Sequence, residues 1–289
     1  MHRRTVLGAP VLGLLGLTLA ACGEDSPVTP SDIAVPEEGA APEPRRISYG
    51  EDASQWGDLY LPDDPRGVVV VIHGGFWLAE YDYTYGEPLA VALAAQGWAT
   101  WNLEYRRVGD GPGGGGGDPA TFYDVAAGID LLADLGPDID LDLTTVIALG
   151  HSAGGHLATW AASRGRFEQW AGGVDLTHVI SQAGVLDLIA GDEADLGGGA
   201  VATFLGHSPG PDDAPLDPIQ QVPLDVPVWC VHATDDRTVP IGQSQSYVMA
   251  ATGAGATAEL VEVAGDHFVL IDPTSEAWAR TVQIFDSIG

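Results

Sequence analysis

The stretch Ala148-Leu149-Gly150-His151-Ser152-Ala153-Gly154-Gly155 constrains this chain more than any other. It sets Ser152 in a Gly-x-Ser-x-Gly frame, directly after the apolar run Thr145–Leu149 and ahead of His156–Ala162, which reads as a helix. A serine on so sharp a strand-to-helix turn holds a strained backbone. Glycines two positions to either side let the chains pass without a Cβ clash. The start of the helix adds unpaired N–H groups and positive potential where an oxyanion would form. The strand–turn–helix setting is what gives a five-residue pattern its weight.

Strands and helices alternate along the rest of the chain. Short strands are expected over Ile47–Tyr49 and Gln55–Leu61, and a fully apolar one over Gly67–Ile72, as in the interior of a parallel sheet. Further strands are read at Trp98–Leu103, His178–Gln182, Val226–His232 and Ala258–Val263. Helices are read at Glu87–Gln96, Ala120–Leu135, Ile241–Ala251 and Pro273–Ile288, with an irregular helical stretch from Asp187 to Phe204. This pattern implies right-handed crossovers and a mostly parallel α/β sheet of about eight strands with helices on both faces. At 289 residues one large domain is expected, spanning 45–289, with 187–220 as a cap-like insertion. The five-glycine run inside Asp110–Asp118 lacks the Lys-Ser/Thr of a phosphate loop and does not follow a strand at dinucleotide spacing. It reads as a flexible loop near the site mouth, not a nucleotide cradle.

The first 21 residues read as an export signal: Arg3-Arg4, an apolar core, then Leu19-Ala20-Ala21 before Cys22. The apolar stretch is shorter than the ~20 residues that span a bilayer comfortably. Leu-Ala-Ala-Cys resembles a bacterial lipobox, which implies lipid on Cys22 and a body anchored at the cell envelope, outside the cytoplasm. Ser26–Pro44, with five prolines, four acids and no aromatic residue, reads as an extended tether completing segment 22–44. Cys230, in an apolar strand, would then be the one remaining cysteine, buried as a small hydrophobe. Without residues 1–21 the chain has 41 acids against 9 arginines, and it contains no lysine. Such a surface repels nucleic acid and anionic headgroups, so neither is a partner, and the membrane is met only through Cys22.

A serine hydroxyl becomes a nucleophile only when a base takes its proton, and that base must be oriented by a third group. In a doubly wound sheet with this turn the chain order is Ser, acid, His. Of eight histidines only His267, after the last strand, is correctly ordered. His151 lies inside the turn, His156 on the helix below it, and His232 ends a strand too early. Two aspartates, Asp235 and Asp236, compete for the acid. Ala153 N–H, next after the serine, is one oxyanion donor. No His-x-x-x-His or Cys-x-x-Cys pair suggests a metal, and no cofactor is expected.

His73-Gly74-Gly75-Phe76-Trp77, straight after the first long apolar strand, resembles the His-Gly-Gly oxyanion loop of lipases and esterases. His232-Ala233-Thr234-Asp235-Asp236-Arg237-Thr238-Val239-Pro240 resembles the His-Gly-x-x-Asp-x-x-Val-Pro signature of α/β-hydrolases, with Ala233 replacing glycine. From about Arg45 onward the chain is similar to the esterase branch of that superfamily: hormone-sensitive-lipase-like carboxylesterases, kynurenine formamidases, and bacterial feruloyl and acetyl xylan esterases. The resemblance implies the α/β-hydrolase fold, the N–H groups of Gly75 and Phe76 as oxyanion donors, and Asp236 as the acid. It implies a structural Arg106–Asp124 pair, and His73 as a pin for the loop. Phe76, Trp77 and Tyr81 are candidate walls of a substrate pocket. The activity it implies is hydrolysis of a small-molecule ester, with small or medium acyl groups, through an acyl-enzyme. The competing readings are an amidase or exopeptidase of the prolyl-oligopeptidase type, an arylformamidase-like hydrolase, and a silent binding module on a hydrolase scaffold. Oligomeric state is not legible.

Overall fold

In the computed structural model, residues 40–139 and 141–289 are described. The export signal, Cys22 and the tether up to residue 39 lie outside the described residues. The first strand, β1, covers Arg45–Ser48, where the sequence turns from Pro-rich to globular. It is followed by β2 Trp56–Tyr60, β3 Val68–Ile72, β4 Ala99–Leu103, β5 Val146–His151, β6 His178–Gln182, β7 Val228–Ala233 and β8 Ala258–Val263. These eight strands form one sheet in the order β1-β2-β4-β3-β5-β6-β7-β8. Only the β1–β2 and β2–β4 pairs are antiparallel. The expected eight-stranded, mostly parallel sheet is therefore observed, with boundaries shifted by one or two residues.

Why the central strands are apolar throughout is visible in β3. Val68, Val70 and Ile72 point into one core, while Val69 and Val71 point into the other. The first core is closed by α2 (Ala120–Ile139), α3 (Ala153–Ala161) and α6 (Gly242–Gly253), and the second by α1 (Glu87–Ala95) and α7 (Glu276–Ile288). A strand with both faces covered has no use for polar alternation. Helix α7 is set by Ser275, whose side chain caps Trp278 N–H and leaves Ala277, Trp278, Thr281, Val282, Ile284 and Phe285 buried.

The chain leaves β3 for β4 on one side and reaches β5 on the other, so a crevice opens beyond the carboxyl ends of β3 and β5. The register pairs Ile72 with Gly150, which sets the residues after β3 directly beside the turn after β5. The segment read as an irregular stretch resolves into α4 (Leu188–Glu193), capped by the Asp187 side chain, and α5 (Ala200–Leu205). Gly197, Gly198 and Gly199 all have positive φ and break the helix between them. Two short 3-10 helices, Pro211–Leu216 and Pro218–Gln221, complete the insertion. The glycine-rich loop folds back on the end of β4's continuation: Arg107 N–H donates to Gly113 O at 2.7 Å and Gly116 N–H to Arg107 O at 2.7 Å. Asp118 N–H reaches Phe204 O on α5 at 3.0 Å.

Candidate active site

Ser152 sits between β5 and α3 with φ 57° and ψ −120°, a left-handed strain of about 1–3 kcal/mol held by its surroundings. Its N–H donates to Gln182 O at the end of β6 at 2.8 Å. The turn works only because of its glycines: a Cβ on Gly154 would lie 2.0 Å from Ile72 O. The same tightness brings in the loop after β3. A Cβ on Gly74 would lie 2.6 Å from His151 O and 3.0 Å from the Ser152 Cβ, so the two segments are in contact.

That loop, His73–Trp77, is anchored from below. His73 is buried, with Nδ1 donating to Gly74 O at 2.8 Å and Nε2 3.3 Å from Glu104 Oε1. Tyr105 stacks on its ring and donates its hydroxyl to His73 O at 2.7 Å. Burial, with Arg107 close by, pushes the His73 imidazole down to about 3, so it is neutral and serves as a pin. Gly75, Phe76 and Trp77 all have positive φ. Among the described residues no protein group accepts from the N–H groups of Gly75 or Phe76. Ala153 N–H heads α3, where the first donors have no intrahelical partner.

Of the expected pocket walls, Tyr81 lies across Gly75, on which a Cβ would meet the tyrosine Cβ at 2.2 Å, and it stays partly exposed. Phe76 is also partly exposed and packs on Gly197 of the insertion. Trp77 is a correction: it is fully buried and walls no open pocket. Its φ of 58° turns the indole under the loop, where it stacks on Phe204 at 4.5 Å and meets His156 edge-on at 5.3 Å. This aromatic contact joins the loop to α5.

His267 and Asp236, on the loops after β8 and β7, meet through His267 Nδ1 and Asp236 Oδ2 at 2.6 Å. The other carboxylate oxygen accepts Thr238 N–H at 2.8 Å and Val239 N–H at 2.9 Å. Burial raises the Asp236 carboxyl, but hydrogen bonds from His232 and His267 pull it further the other way, well below the usual carboxylate range. It is therefore ionised, and His267 donates to it from Nδ1, the tautomer that in the neutral ring puts the lone pair on Nε2. Asp235, its rival in the sequence, is exposed. No hydrogen bond joins the Ser152 hydroxyl to His267 among the described residues. Such contacts are often loose in a resting site and tighten around a substrate.

The link between base and nucleophile turn runs instead through His151. Its Nε2 donates to His267 O at 2.9 Å, and the two rings lie 4.4 Å apart. Burial, and secondarily His267, push its imidazole down to about 3. His232, fully buried at the end of β7, places Nε2 2.9 Å from Val239 O and 3.4 Å from Asp236 Oδ2. Order along the chain removed both histidines as candidate bases, and nothing in that criterion marks the residues that support one. Arg106 pairs with Asp124 as expected, at 2.8 Å and 2.6 Å, with its own N–H at 3.0 Å and Gln55 Nε2 at 2.7 Å as further donors. Buried Cys230, its thiol pushed up to about 12 by burial, is inert.

The model of the BD-FAE family matches residues 58–250. The chain is similar to the isoprenylcysteine alpha-carbonyl methylesterase ICME of Arabidopsis thaliana, at 27% identity over 76% of this chain and 55% of that one. It is also similar to esterase LipC of Mycobacterium tuberculosis, at 26% identity over 71% of this chain and 54% of that one. The chain thus spans about half the length of the curated relatives it matches. Among solved structures, esterase B of Lactobacillus rhamnosis inhibited by a tributyrin phosphonate superposes with a TM-score of 0.71 at 22% identity. That match covers 89% of this chain and 88% of the other, and at this identity it speaks to fold alone.

Proposed function

The chain belongs to the BD-FAE family and has the α/β-hydrolase fold, and from that premise we propose that it is a serine carboxylic ester hydrolase with Ser152, His267 and Asp236 as its triad. The observation that carries this reading is the 2.6 Å bond from His267 Nδ1 to Asp236 Oδ2. In the neutral ring it puts the lone pair on Nε2, at the end of the sheet where Ser152 stands strained at the head of α3.

Ser152 Oγ attacks the ester carbonyl as His267 Nε2 takes its proton, and Asp236 stabilises the imidazolium. The oxyanion of the tetrahedral intermediate accepts from the N–H groups of Gly75, Phe76 and Ala153, donors already in place before the charge develops. Collapse expels the alcohol, protonated by His267, and leaves an acyl-enzyme. Water activated by the same imidazole then releases the acid and restores the serine. Relatives and neighbours named as a methylesterase, an esterase and a tributyrin-phosphonate-inhibited esterase support the ester class. The partly exposed Phe76 and Tyr81 beside the donors suit a small or medium acyl group.

A fluorophosphonate probe followed by peptide mapping tests the nucleophile: label on Ser152, lost in Ser152→Ala, is expected. Turnover of p-nitrophenyl acetate without turnover of an aminoacyl anilide is expected as well, and the reverse preference would replace the ester reading with an amidase. The same reading puts the body outside the cytoplasm, held by lipid on Cys22. Mass spectrometry of the protein recovered from membranes, showing an acylated Cys22 at the mature N-terminus, tests that part.

A further inference from the structure

We propose that His232 is a positioning residue of the catalytic acid, sharing its Nε2–H between Val239 O and the Asp236 oxygen that binds His267, with Ser244 of α6 setting its tautomer. This rests on the assignment of Asp236 and His267 made above. His232 Nε2 faces only acceptors, Val239 O at 2.9 Å and Asp236 Oδ2 at 3.4 Å, so it carries the hydrogen. In the neutral ring Nδ1 then holds the lone pair and accepts from the Ser244 hydroxyl at 2.8 Å. The orientation of the ring is therefore determined at both nitrogens, with the His232 and Asp236 side chains both fully buried.

The result is a carboxylate with every face engaged. Oδ1 takes two backbone N–H groups, and Oδ2 takes the His267 N–H at 2.6 Å, with His232 Nε2, bonded to Val239 O, facing the same oxygen at 3.4 Å. Two consequences follow. The plane of the carboxylate is fixed, because rotation would break contacts at both oxygens. The charge is also shared: a carboxylate that loses one donor draws harder on the proton at His267 Nδ1 and makes that ring more basic. His232 thus tunes the base through the acid without touching substrate. Its bond to Val239 O closes the Thr234–Pro240 loop on the same atom, so positioning of the acid and shape of the loop depend on one side chain. The other ionisable groups around this chain of bonds are His151 on the nucleophile turn and Cys230 on β7. Asp235, Arg237, Glu262 and Asp266 stand exposed at the surface.

His232→Phe, His232→Gln and Ser244→Ala test the proposal on the full chain, with p-nitrophenyl acetate kinetics across pH and the downfield proton resonance of the His267–Asp236 bond as readouts. In His232→Phe, kcat is expected to fall roughly 10- to 100-fold, the value of a charge-assisted hydrogen bond, with KM within about twofold. The acidic limb of the pH–rate profile moves to higher pH and the resonance shifts. His232→Gln, which returns an N–H near the Nε2 position, recovers part of kcat and moves the limb back. A folded His232→Phe protein with parental kcat, limb and resonance overturns the proposal. So does a loss of activity that leaves limb and resonance in place, since that marks a merely structural role. If His232→Phe does not fold, Ser244→Ala decides: a limb and resonance displaced in the same direction support the proposal, and unmoved ones refute it. The resonance needs no turnover, so failure of Ser152 to label would sink the esterase reading while leaving this test intact.

Discussion

Asp236→Asn is the sharpest perturbation of the proposed triad, because the structure dictates how the amide must sit. Asp236 Oδ1 accepts from Thr238 N–H at 2.8 Å and Val239 N–H at 2.9 Å. An NH₂ group cannot accept these bonds, so the asparagine oxygen takes that place and the NH₂ is forced into the Oδ2 position. There it faces His267 Nδ1 at 2.6 Å. Donor now meets donor, and His267 relieves the clash by moving its proton to Nε2. In that tautomer the nitrogen facing the site has no lone pair for the serine proton. Loss of the tautomer in a Ser-His-Asp site costs about 10⁴-fold in kcat, equivalent to about 5.5 kcal/mol of barrier at 1.36 kcal/mol per tenfold. The assay is kcat and KM for p-nitrophenyl acetate on protein shown to be folded by circular dichroism, with Asp235→Asn beside it. Asp235 is exposed, and its amide is expected to stay within about twofold of the parent, as for a surface change away from the machinery. An Asp236→Asn enzyme that keeps a tenth of its activity would refute the reasoning, and a collapse in Asp235→Asn would move the acid to the neighbouring residue.

Phe204→Ala removes the ring stacked under Trp77 at 4.5 Å; urea unfolding should show a loss of about 3–5 kcal/mol, with kcat reduced because the oxyanion loop rests on that indole. Gly74→Ala puts a methyl 2.6 Å from His151 O, and the retreat of about 1 Å that this forces on the loop is expected to lower kcat about 10²-fold while the fold persists; unchanged kinetics would show that the loop yields freely. Asp217, in the insertion, accepts from Leu188 N–H at 3.1 Å and Gln220 Nε2 at 2.8 Å, and burial raises its carboxyl to about 6. The native state therefore keeps a proton that the unfolded chain gives up near pH 4, so this residue's contribution to stability is full below pH 4 and is lost as pH rises through 6. Asp217→Asn should abolish that slope and leave the protein more stable above pH 6 by no more than about 3 kcal/mol. Equal slopes for variant and parent in urea titrations at pH 4, 5 and 7 would exclude this.

How much of the fold was legible depended on whether a signal was local. Val68–Ile72 is a buried strand on its own evidence, because a run with no polar position can be covered on both faces and nowhere else. The insertion was not so readable. Leu188, Leu196, Val201 and Phe204 are all buried, yet no single helical period connects them. The break comes from the left-handed glycines at 197–199, which bring Phe76 against Gly197. The glycine-rich loop shows a related limit. Composition reports the freedom of Gly113 and Gly116 but not the main chain of Arg107, which those residues bind. Trp77 illustrates the same limit at the site: its identity suggests a pocket wall, and only its positive φ directs it into the core.

The histidines show where reasoning from order stops. Order is a strong filter for a base, since the loop after the last strand must come back to the nucleophile turn, and only His267 satisfies it. A residue that steadies the base or the acid obeys no such rule, because any element reaching the same volume can supply it. His151 reaches it from the turn that carries Ser152, and His232 from the strand beneath the acid loop. The spacing of four between His232 and Asp236 was visible throughout, but four residues at a strand end fix neither direction nor distance. The turn becomes definite only when Asp236 Oδ1 takes Thr238 and Val239 N–H and His232 takes Val239 O. Those bonds fold the loop back on itself and bring the imidazole to the carboxylate. The shape of the loop and the setting of the acid are one event, which is why a motif could point to the aspartate while the second histidine needed coordinates.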